Sequence, residues 1–196
     1  MYKVYGAVAS RALRVIWLLE EIGQPYELFQ VKPHSAEALA LNPSGKIPSL
    51  VDGDAVLTDS VAIMTYLADK HHALTYPAGT IERAHQDALI HTLLDEFDAV
   101  LWTAARHRAF LPEELRMPGI SDSLKWEFER NLERLAKRFV GPFLQGDKMT
   151  IADILCVHCL GWAKSAGFPV DNEVLKTYAK TLRDRDAYKR TLAQMV

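Results

Sequence analysis

The order of short periodic segments in the first third of the chain constrains its fold more than any other feature. Strand-like apolar segments cover Val4 to Gly6 and Tyr26 to Val31, and the apolar pattern between them, over residues 11–22, has helical spacing. Gly23 and Pro25 follow that pattern and mark the end of the predicted helix. Strands that alternate with helices in this way are typical of α/β domains.

The segment that follows predicts a β-hairpin and then a helix. Residues 48–51 and 55–58 are separated by Asp52-Gly53-Asp54, and glycine supplies the positive dihedral angle that tight turns need. A helical pattern then runs from about Ser60 to His71. The predicted order is strand, helix, strand, helix, strand, strand, helix, which is that of a thioredoxin-like domain.

Strand signals disappear after the segment Tyr76-Pro77-Ala78-Gly79, and long helical patterns fill the rest of the chain. We therefore expect two domains, a thioredoxin-like domain over residues 1–78 and an all-helical domain over residues 79–196. The sequence from Thr150 to Asp153 has the form of a helix capping box, and the apolar run after it predicts a buried central helix.

The composition argues against several classes of partner. The chain has 196 residues, of which 49% are hydrophobic and 24% charged, and its formal net charge is -2. Interspersed charges of both signs create no field that would gather nucleic acid or anionic lipid, and no apolar segment reaches membrane-spanning length. The charge pattern therefore predicts no binding to nucleic acid or membranes. Because the N-terminus begins directly in a strand pattern, we also expect a cytoplasmic protein.

The two cysteines of the chain, Cys156 and Cys159, both lie in the apolar helical pattern that follows the capping box. Two cysteines make no disulfide framework, and a C-x-x-C spacing inside an apolar helix indicates core packing. No second cysteine pair completes a zinc site. We therefore expect no metal and no redox cofactor.

Several motifs, in this order and spacing, together resemble the cytosolic glutathione transferase family, and in particular its serine type. The motifs are Ser10-Arg11-x-x-Arg14-x-x-Trp17, Asn42-Pro43-x-Gly45-Lys46-Ile47-Pro48, Asp59-Ser60-x-Ala62-Ile63 and the capping box. The resemblance covers essentially the whole chain. It implies a thioredoxin-like domain that binds glutathione, an all-helical domain that contributes the electrophile pocket, and assembly as a homodimer.

The resemblance also implies a glutathione site, which physical chemistry makes reasonable. A cis bond before Pro48 would turn the backbone of Ile47 towards the cysteinyl unit of the ligand, although the sequence alone also allows an ordinary proline at a strand start. Asp59 and Ser60 begin a predicted helix, whose N-terminus favours the γ-glutamyl carboxylate, while Asp59 could accept from the ligand ammonium or simply cap the helix. His34 and Lys46 are candidates for the glycine carboxylate.

The resemblance makes Ser10 the candidate catalytic residue. A hydroxyl at the start of the first helix would donate to the glutathione sulfur and favour its thiolate form. Arg11 would add positive potential there. Two alternatives stay open, because Tyr5 at the end of the first strand could activate the thiol instead, and Ser10 could act only as a helix cap.

The electrophile pocket implied by the resemblance would contain Trp102, Arg106 and Phe110, which lie at helical spacing in the helical half and would face Ser10. Such an aromatic stripe is also compatible with a packed core. Arg106 and the neighbouring basic residues could favour an anionic acceptor or form a solvated charged edge.

We therefore expect a glutathione transferase, with glutathione as co-substrate and a small electrophile as the second substrate. Two other functions stay open. The same thiol site could serve a glutathione-dependent isomerase or dehalogenase, and the fold could serve a non-enzymatic interaction module.

Overall fold

A computed structural model describes residues 1–195 of the chain. The packing divides the chain into two compact units, one formed by Met1–Arg83 together with the C-terminal segment from Leu182, and one formed by Ala84–Thr181. We call them the first and the second unit. The predicted boundary near residue 78 stays a prediction, and the C-terminal segment packs with the N-terminal residues.

The first unit contains a four-stranded mixed sheet with helices in its connections. Its elements are β1 (Tyr2–Tyr5), α1 (Ala12–Ile22), β2 (Tyr26–Phe29), α2 (Ala36–Leu41), β3 (Ser49–Asp52), β4 (Ala55–Thr58) and α3 (Ser60–Lys70). The strand order is β2-β1-β3-β4; β1 pairs parallel with β2 and antiparallel with β3, and β3 forms the predicted hairpin with β4. The predicted element order and thioredoxin-like fold are confirmed. The first strand begins two residues earlier than its pattern indicated.

Helix α1 is buried on most of its surface, as its wide apolar pattern predicts. Residues Ala12 and 14–19 are buried, and Gly23 ends the helix at φ 65°, a left-handed conformation that glycine adopts without cost. Arg14 is also buried on this helix, although it is charged, and it is only 1% exposed. The cation lies under the start of α3, where it finds a hydrogen-bond acceptor.

The last helix of the chain, α9 (Asp186–Leu192), packs against α1 within the first unit. Tyr188 and Trp17 make an edge-to-face contact with ring centroids 4.7 Å apart. Arg185 donates to both carboxylate oxygens of Glu21 at 2.7 Å, and Arg190 donates to Glu20 at 2.6 Å. The C-terminal segment is therefore fastened to α1 by aromatic packing and two ion pairs.

The second unit is helical, as predicted. The helices of the second half of the chain are α4 (Ile81–Leu93), α5 (Ala99–Ala105), α6 (Ile120–Arg138), α7 (Ile151–Ser165) and α8 (Glu173–Arg183). Two π-helical turns, Leu94–Asp98 and Arg106–Phe110, follow α4 and α5. Phe128 lies in the core between Phe97 and Phe168, at centroid distances of 5.2 and 5.5 Å.

Helix α7 begins with the predicted capping box. The Thr150 hydroxyl accepts from the start of the helix, and the Asp153 carboxylate accepts from the Thr150 amide at 2.8 Å. The same carboxylate also accepts from the amide of Leu144 and the hydroxyl of Tyr178. Burial raises the pKa of Asp153, and these hydrogen bonds oppose the shift. Cys156 and Cys159 are buried on this helix, in agreement with a packing role.

Residues 1–195 lack two kinds of feature. No helix in this range is long and apolar enough to cross a membrane. Among the same described residues, no group of three or more histidine, cysteine, aspartate or glutamate side chains is placed to hold a metal ion. The expectation that the protein needs no cofactor stays a prediction.

Candidate functional site

The start of β3 lies directly beside the end of β1. The Ile47-Pro48 peptide bond is cis, as the resemblance implied, and Tyr5 on β1 pairs with Ser49 on β3. Gly6 follows β1, and a Cβ atom there would lie 2.6 Å from the Cβ of Ala12 and 3.6 Å from the Cα of Pro48. A side chain at Gly6 would therefore force apart the strand end, Pro48 and the start of α1.

The N-terminus of α3 brings Asp59, Ser60 and Arg14 together. One carboxylate oxygen of Asp59, Oδ1, accepts from the amides of Val61 and Ala62 at 2.9 and 3.0 Å. The Ser60 hydroxyl accepts from Nη1 of Arg14 at 3.1 Å. Capping by Asp59 is therefore present, and the second oxygen of its carboxylate takes no part in these two bonds.

This arrangement creates a positive local field. The helix N-terminus carries partial positive charge, and the buried guanidinium of Arg14 adds a full charge beside it. Because the Ser60 oxygen already accepts from Arg14, its own proton can be donated elsewhere. Sequence reasoning gave Arg14 no role in the site. The one available signal was an arginine inside an otherwise apolar helix.

Ser10 lies in the turn before α1, where its hydroxyl has two local hydrogen bonds. Oγ donates to the carbonyl oxygen of Ala7 at 2.6 Å and accepts from the amide of Ala12 at 3.1 Å. The second bond is a local side-chain-to-backbone bond beside the N-cap residue of α1, Arg11, which itself makes no side-chain cap bond. The hydroxyl proton would have to turn away from Ala7 to reach a ligand sulfur, which is a small rotation about one bond. Arg11 is the next residue and immediately precedes α1.

The alternative activator, Tyr5, lies on the neighbouring strand. Its ring stacks on that of Phe29, with centroids 4.6 Å apart and planes 9° from parallel. That Ser10, and not Tyr5, activates the glutathione thiol therefore stays a prediction.

His34 and Lys46 belong to two loop segments that contact each other closely. The amide of His34 donates to the carbonyl of Gly45 at 2.8 Å. His34 and Gly45 both have positive φ angles. A Cβ atom on Gly45 would lie 2.3 Å from the His34 ring, so only glycine permits this approach. Asn42 donates to the carbonyl of Lys46 at 3.0 Å. The side chains of His34 and Lys46 are exposed, and their contacts with the glycine carboxylate of glutathione stay predictions.

The predicted pocket residues lie on consecutive helical turns of the second unit. The rings of Trp102 and Phe110 are 5.3 Å apart, and Nη2 of Arg106 donates to the Thr103 hydroxyl at 3.1 Å. The structure thus brings the two rings together. Their role in electrophile binding stays a prediction.

Comparison with known proteins assigns the family. Residues 10–70 match the model of the glutathione S-transferase N-terminal domain. Glutathione S-transferase 1 of Zea mays is 34% identical over 167 residues, covering 78% of this chain and 76% of the relative. The chain belongs to the glutathione S-transferase family. Maleylacetoacetate isomerase maiA of Aspergillus fumigatus is 29% identical over 208 residues, covering 97% of this chain and 88% of the relative.

A solved structure gives the same result for the fold of this glutathione S-transferase. Glutathione transferase URE2P6 of Phanerochaete chrysosporium, in complex with oxidized glutathione, superposes with a TM-score of 0.84 at 24% identity. The match covers 99% of this chain and 96% of that one. The family-model match contains Ser10 and all the predicted glutathione-binding residues. Tyr5 lies outside it.

Proposed function

We propose that this glutathione transferase binds glutathione along one edge of its first unit and uses Ser10 to hold the thiol as a thiolate. The observation that supports this best is the N-terminus of α3, where a capping carboxylate, a serine proton and a buried guanidinium meet. A γ-glutamyl group needs complementary partners of this kind, because it carries a carboxylate and an ammonium on the same carbon.

The γ-glutamyl carboxylate would accept from the Ser60 hydroxyl and the Ser60 amide, since the next two amides of α3 already donate to Asp59. Arg14 favours this placement by its charge and leaves the Ser60 proton available. The oxygen of Asp59 that does not cap the helix would accept from the ligand ammonium.

The remaining two residues of glutathione would extend along the loop contacts described above. The backbone of Ile47, before cis-Pro48, would pair with the cysteinyl unit as a short added strand. His34 and Lys46, on the two joined loop segments, would meet the glycine carboxylate.

Ser10 would act on the sulfur through a hydrogen bond from its hydroxyl, and Arg11 would raise the local positive potential. A free thiol titrates near ~8.5, so only a few per cent is ionised at neutral pH. A hydrogen bond to an anion contributes roughly 1.5 to 3 kcal/mol, which corresponds to one or two units of thiol pKa. The thiolate then attacks an electrophilic carbon, a carbon–sulfur bond forms, and the leaving group departs with its electron pair.

A second candidate, a glutathione-dependent isomerase, is favoured by one observation. A relative that covers nearly the whole chain is named maleylacetoacetate isomerase. Isomerisation would use the same thiolate, which would add to the substrate and leave again. Assays of conjugation and of double-bond isomerisation on one preparation would separate the two reactions.

We also propose that the protein is a cytoplasmic homodimer that conjugates small electrophiles in detoxification. The homodimer and the location follow from resemblance to the family, and the purpose follows from the chemistry of conjugation.

The decisive experiment compares Ser10→Ala with wild type. We expect the thiol pKa of bound glutathione, read from the ultraviolet thiolate band, to rise by about one to two units, and conjugation at neutral pH to fall roughly 10- to 100-fold. Thr80→Ala is the matched control, because Thr80 also donates to a carbonyl three residues back and caps a helix, α4. Its thiolate band should not move.

An unchanged thiolate band in Ser10→Ala would make Ser10 a helix cap only, and Tyr5→Phe would then be the next variant. A wild type that binds glutathione but gives no conjugation or isomerisation rate would instead support the interaction module. In such a protein Ser10→Ala could not lower a conjugation rate, because the wild type would have none.

A further inference from the structure

The contacts proposed for glutathione follow one another along a single edge of the first unit. Thr58, the last residue of β4, pairs with Ser49, the first residue of β3. Ser60 lies two residues after Thr58, at the start of α3, and Ile47 lies two residues before Ser49. Lys46 is one residue further from this strand pair along the chain. The strand pairing therefore orders the contacts in the same way as the three residues of the ligand, from the γ-glutamyl end to the glycine end.

The end of this edge at α3 is built from buried and oriented groups. Ser60 is 3% exposed and Arg14 is 1% exposed. Because a guanidinium only donates, its bond to the Ser60 oxygen at 3.1 Å leaves the hydroxyl proton for another acceptor. Asp59, which is exposed and open to a ligand, has Oδ1 held by two backbone amides. Groups that are already oriented lose little freedom on binding, and their hydrogen bonds are stronger beside a low-dielectric interior.

The opposite end of the edge offers two side chains that no neighbouring residue orients. His34 and Lys46 are exposed, and within residues 1–195 neither side chain has a hydrogen-bond or ion-pair partner. A lysine side chain gives up much rotamer freedom when a ligand holds it, and ion pairs between exposed groups contribute little. The glycine carboxylate of glutathione would therefore add little to the affinity.

The chain around this second end leaves room for a larger group. In residues 32–34 and 43–46, every residue except Gly45 is exposed. Gly45 lies against the His34 ring, where a Cβ atom would be only 2.3 Å from the ring nitrogen. A group bonded to the glycine carboxylate would extend over exposed side chains into solvent, where it displaces no packed residue.

We infer that the site selects its thiol co-substrate through the γ-glutamyl end, at the start of α3, so that the substrate class is γ-glutamylcysteinyl thiols in general. Glutathione is one member of that class. The C-terminal residue can be esterified, amidated or extended with a small loss of affinity. This inference rests on the proposed binding of glutathione along this edge, and it names the part of the ligand that the site selects.

The test removes one carboxylate at a time from glutathione. The glycine ethyl ester lacks the carboxylate at the His34 end, and 4-aminobutyrylcysteinylglycine lacks the carboxylate at the Ser60 end. Calorimetric titration of the wild type gives a Kd for each of the three thiols. We expect the ester to bind no more than about fivefold more weakly than glutathione, as for the loss of an exposed ion pair. The decarboxylated analogue should bind at least about tenfold more weakly, because it leaves an oriented hydroxyl without an acceptor.

Two variants at opposite ends of the edge are matched controls for each other. Ser60→Ala should lower the ratio of the Kd of the decarboxylated analogue to that of glutathione by at least about threefold, and should leave the ratio for the ester unchanged. Lys46→Met should leave the first ratio unchanged and bring the ratio for the ester closer to one. The comparison of the three thiols on the wild type needs no variant, so it decides the inference even if Ser60→Ala does not fold.

An ester that loses as much affinity as the decarboxylated analogue, or more, would overturn the inference while the binding of glutathione itself stands. A folded Ser60→Ala that keeps the wild-type ratio for the decarboxylated analogue would also overturn it. Failure of the proposed function gives a different result. The wild type would then bind none of the three thiols at millimolar concentration, and the inference would fail with it.

Discussion

At the scale of single residues, Asp59 has a structural task that is visible and a binding task that is proposed. It caps α3 through Oδ1 at a φ of 69° and a ψ of 123°, which lies outside the regions that non-glycine residues ordinarily adopt. The two tasks can be separated because an asparagine side chain keeps the capping oxygen and loses the charge.

We expect Asp59→Asn to keep its stability and lose glutathione affinity. The free energy of unfolding should change by less than about 0.5 kcal/mol, whereas Asp59→Ala should lose about 1 kcal/mol or more with the cap. Loss of the charge-assisted bond to the ammonium should weaken glutathione binding roughly tenfold or more in both variants. Denaturant titration and calorimetry measure the two quantities.

N-acetylglutathione, which has no ammonium group, is the matched ligand for this comparison. Its affinity should be the same for wild type and Asp59→Asn. If Asp59→Asn binds glutathione as tightly as wild type does, Asp59 is a helix cap only.

Single residues also show the limits of local sequence patterns. Ser10, Asp59 and Ser60 were found because they follow strands and begin helices, positions that a periodic pattern reveals. The role of Arg14 was not found, because helical spacing cannot tell which neighbour will cover a polar side chain. Its acceptor, Ser60, is 46 residues away in sequence.

At the scale of elements, the contact between α1 and α9 decides where the end of the chain lies. Glu21 accepts from both Arg185 and the indole nitrogen of Trp17, so one carboxylate joins a core aromatic residue to α9. The Glu21 side chain is 5% exposed and that of Arg185 is 41% exposed. A bidentate pair that is half out of water should stabilise more than a fully exposed pair.

We expect a double-mutant cycle of Glu21→Gln and Arg185→Met to give a coupling energy of about 1 kcal/mol in urea unfolding. The matched control is the ion pair between Asp171, which precedes α8, and Lys176, which lies on α8. Both of these side chains are well exposed. The control cycle should give about 0.5 kcal/mol or less. Equal coupling in the two cycles would mean that the contact with α9 contributes no more than a surface ion pair.

The helices themselves were largely predictable, and their interruptions were not. The sequence predicted α1 and α3 nearly to the residue and the start of α7, because each carries buried apolar positions and an N- or C-terminal signal. The two π-helical turns carry no comparable signal. The first π turn also takes part in a tertiary contact, since the side chain of Asn131 on α6 donates to its Glu96 carbonyl at 2.8 Å.

At the scale of the whole molecule, the packing joins the two ends of the chain in one unit. The C-terminal segment lies with residues 1–83, although its sequence continues the helical half. A boundary placed from sequence patterns assigns every later residue to the second domain. In the folded chain, a helix near the C-terminus can still pack with the first domain.

The proposed homodimer predicts the mass of the whole assembly. Light scattering at micromolar concentrations should give twice the 22.1 kDa of one chain, and the value should not change on moderate dilution. A mass of one chain over the whole concentration range would contradict the homodimer.

The sequence by itself determined the elements, their order, the turns and caps between them, and the motifs that identify the family. These properties depend on neighbouring residues, through dihedral preferences, apolar spacing and local hydrogen bonds, so they are written in short segments. Only the tertiary structure decided that Arg14 donates to Ser60 and that α9 packs on α1. Those outcomes depend on which distant segments pack together, and packing is a property of the folded chain as a whole.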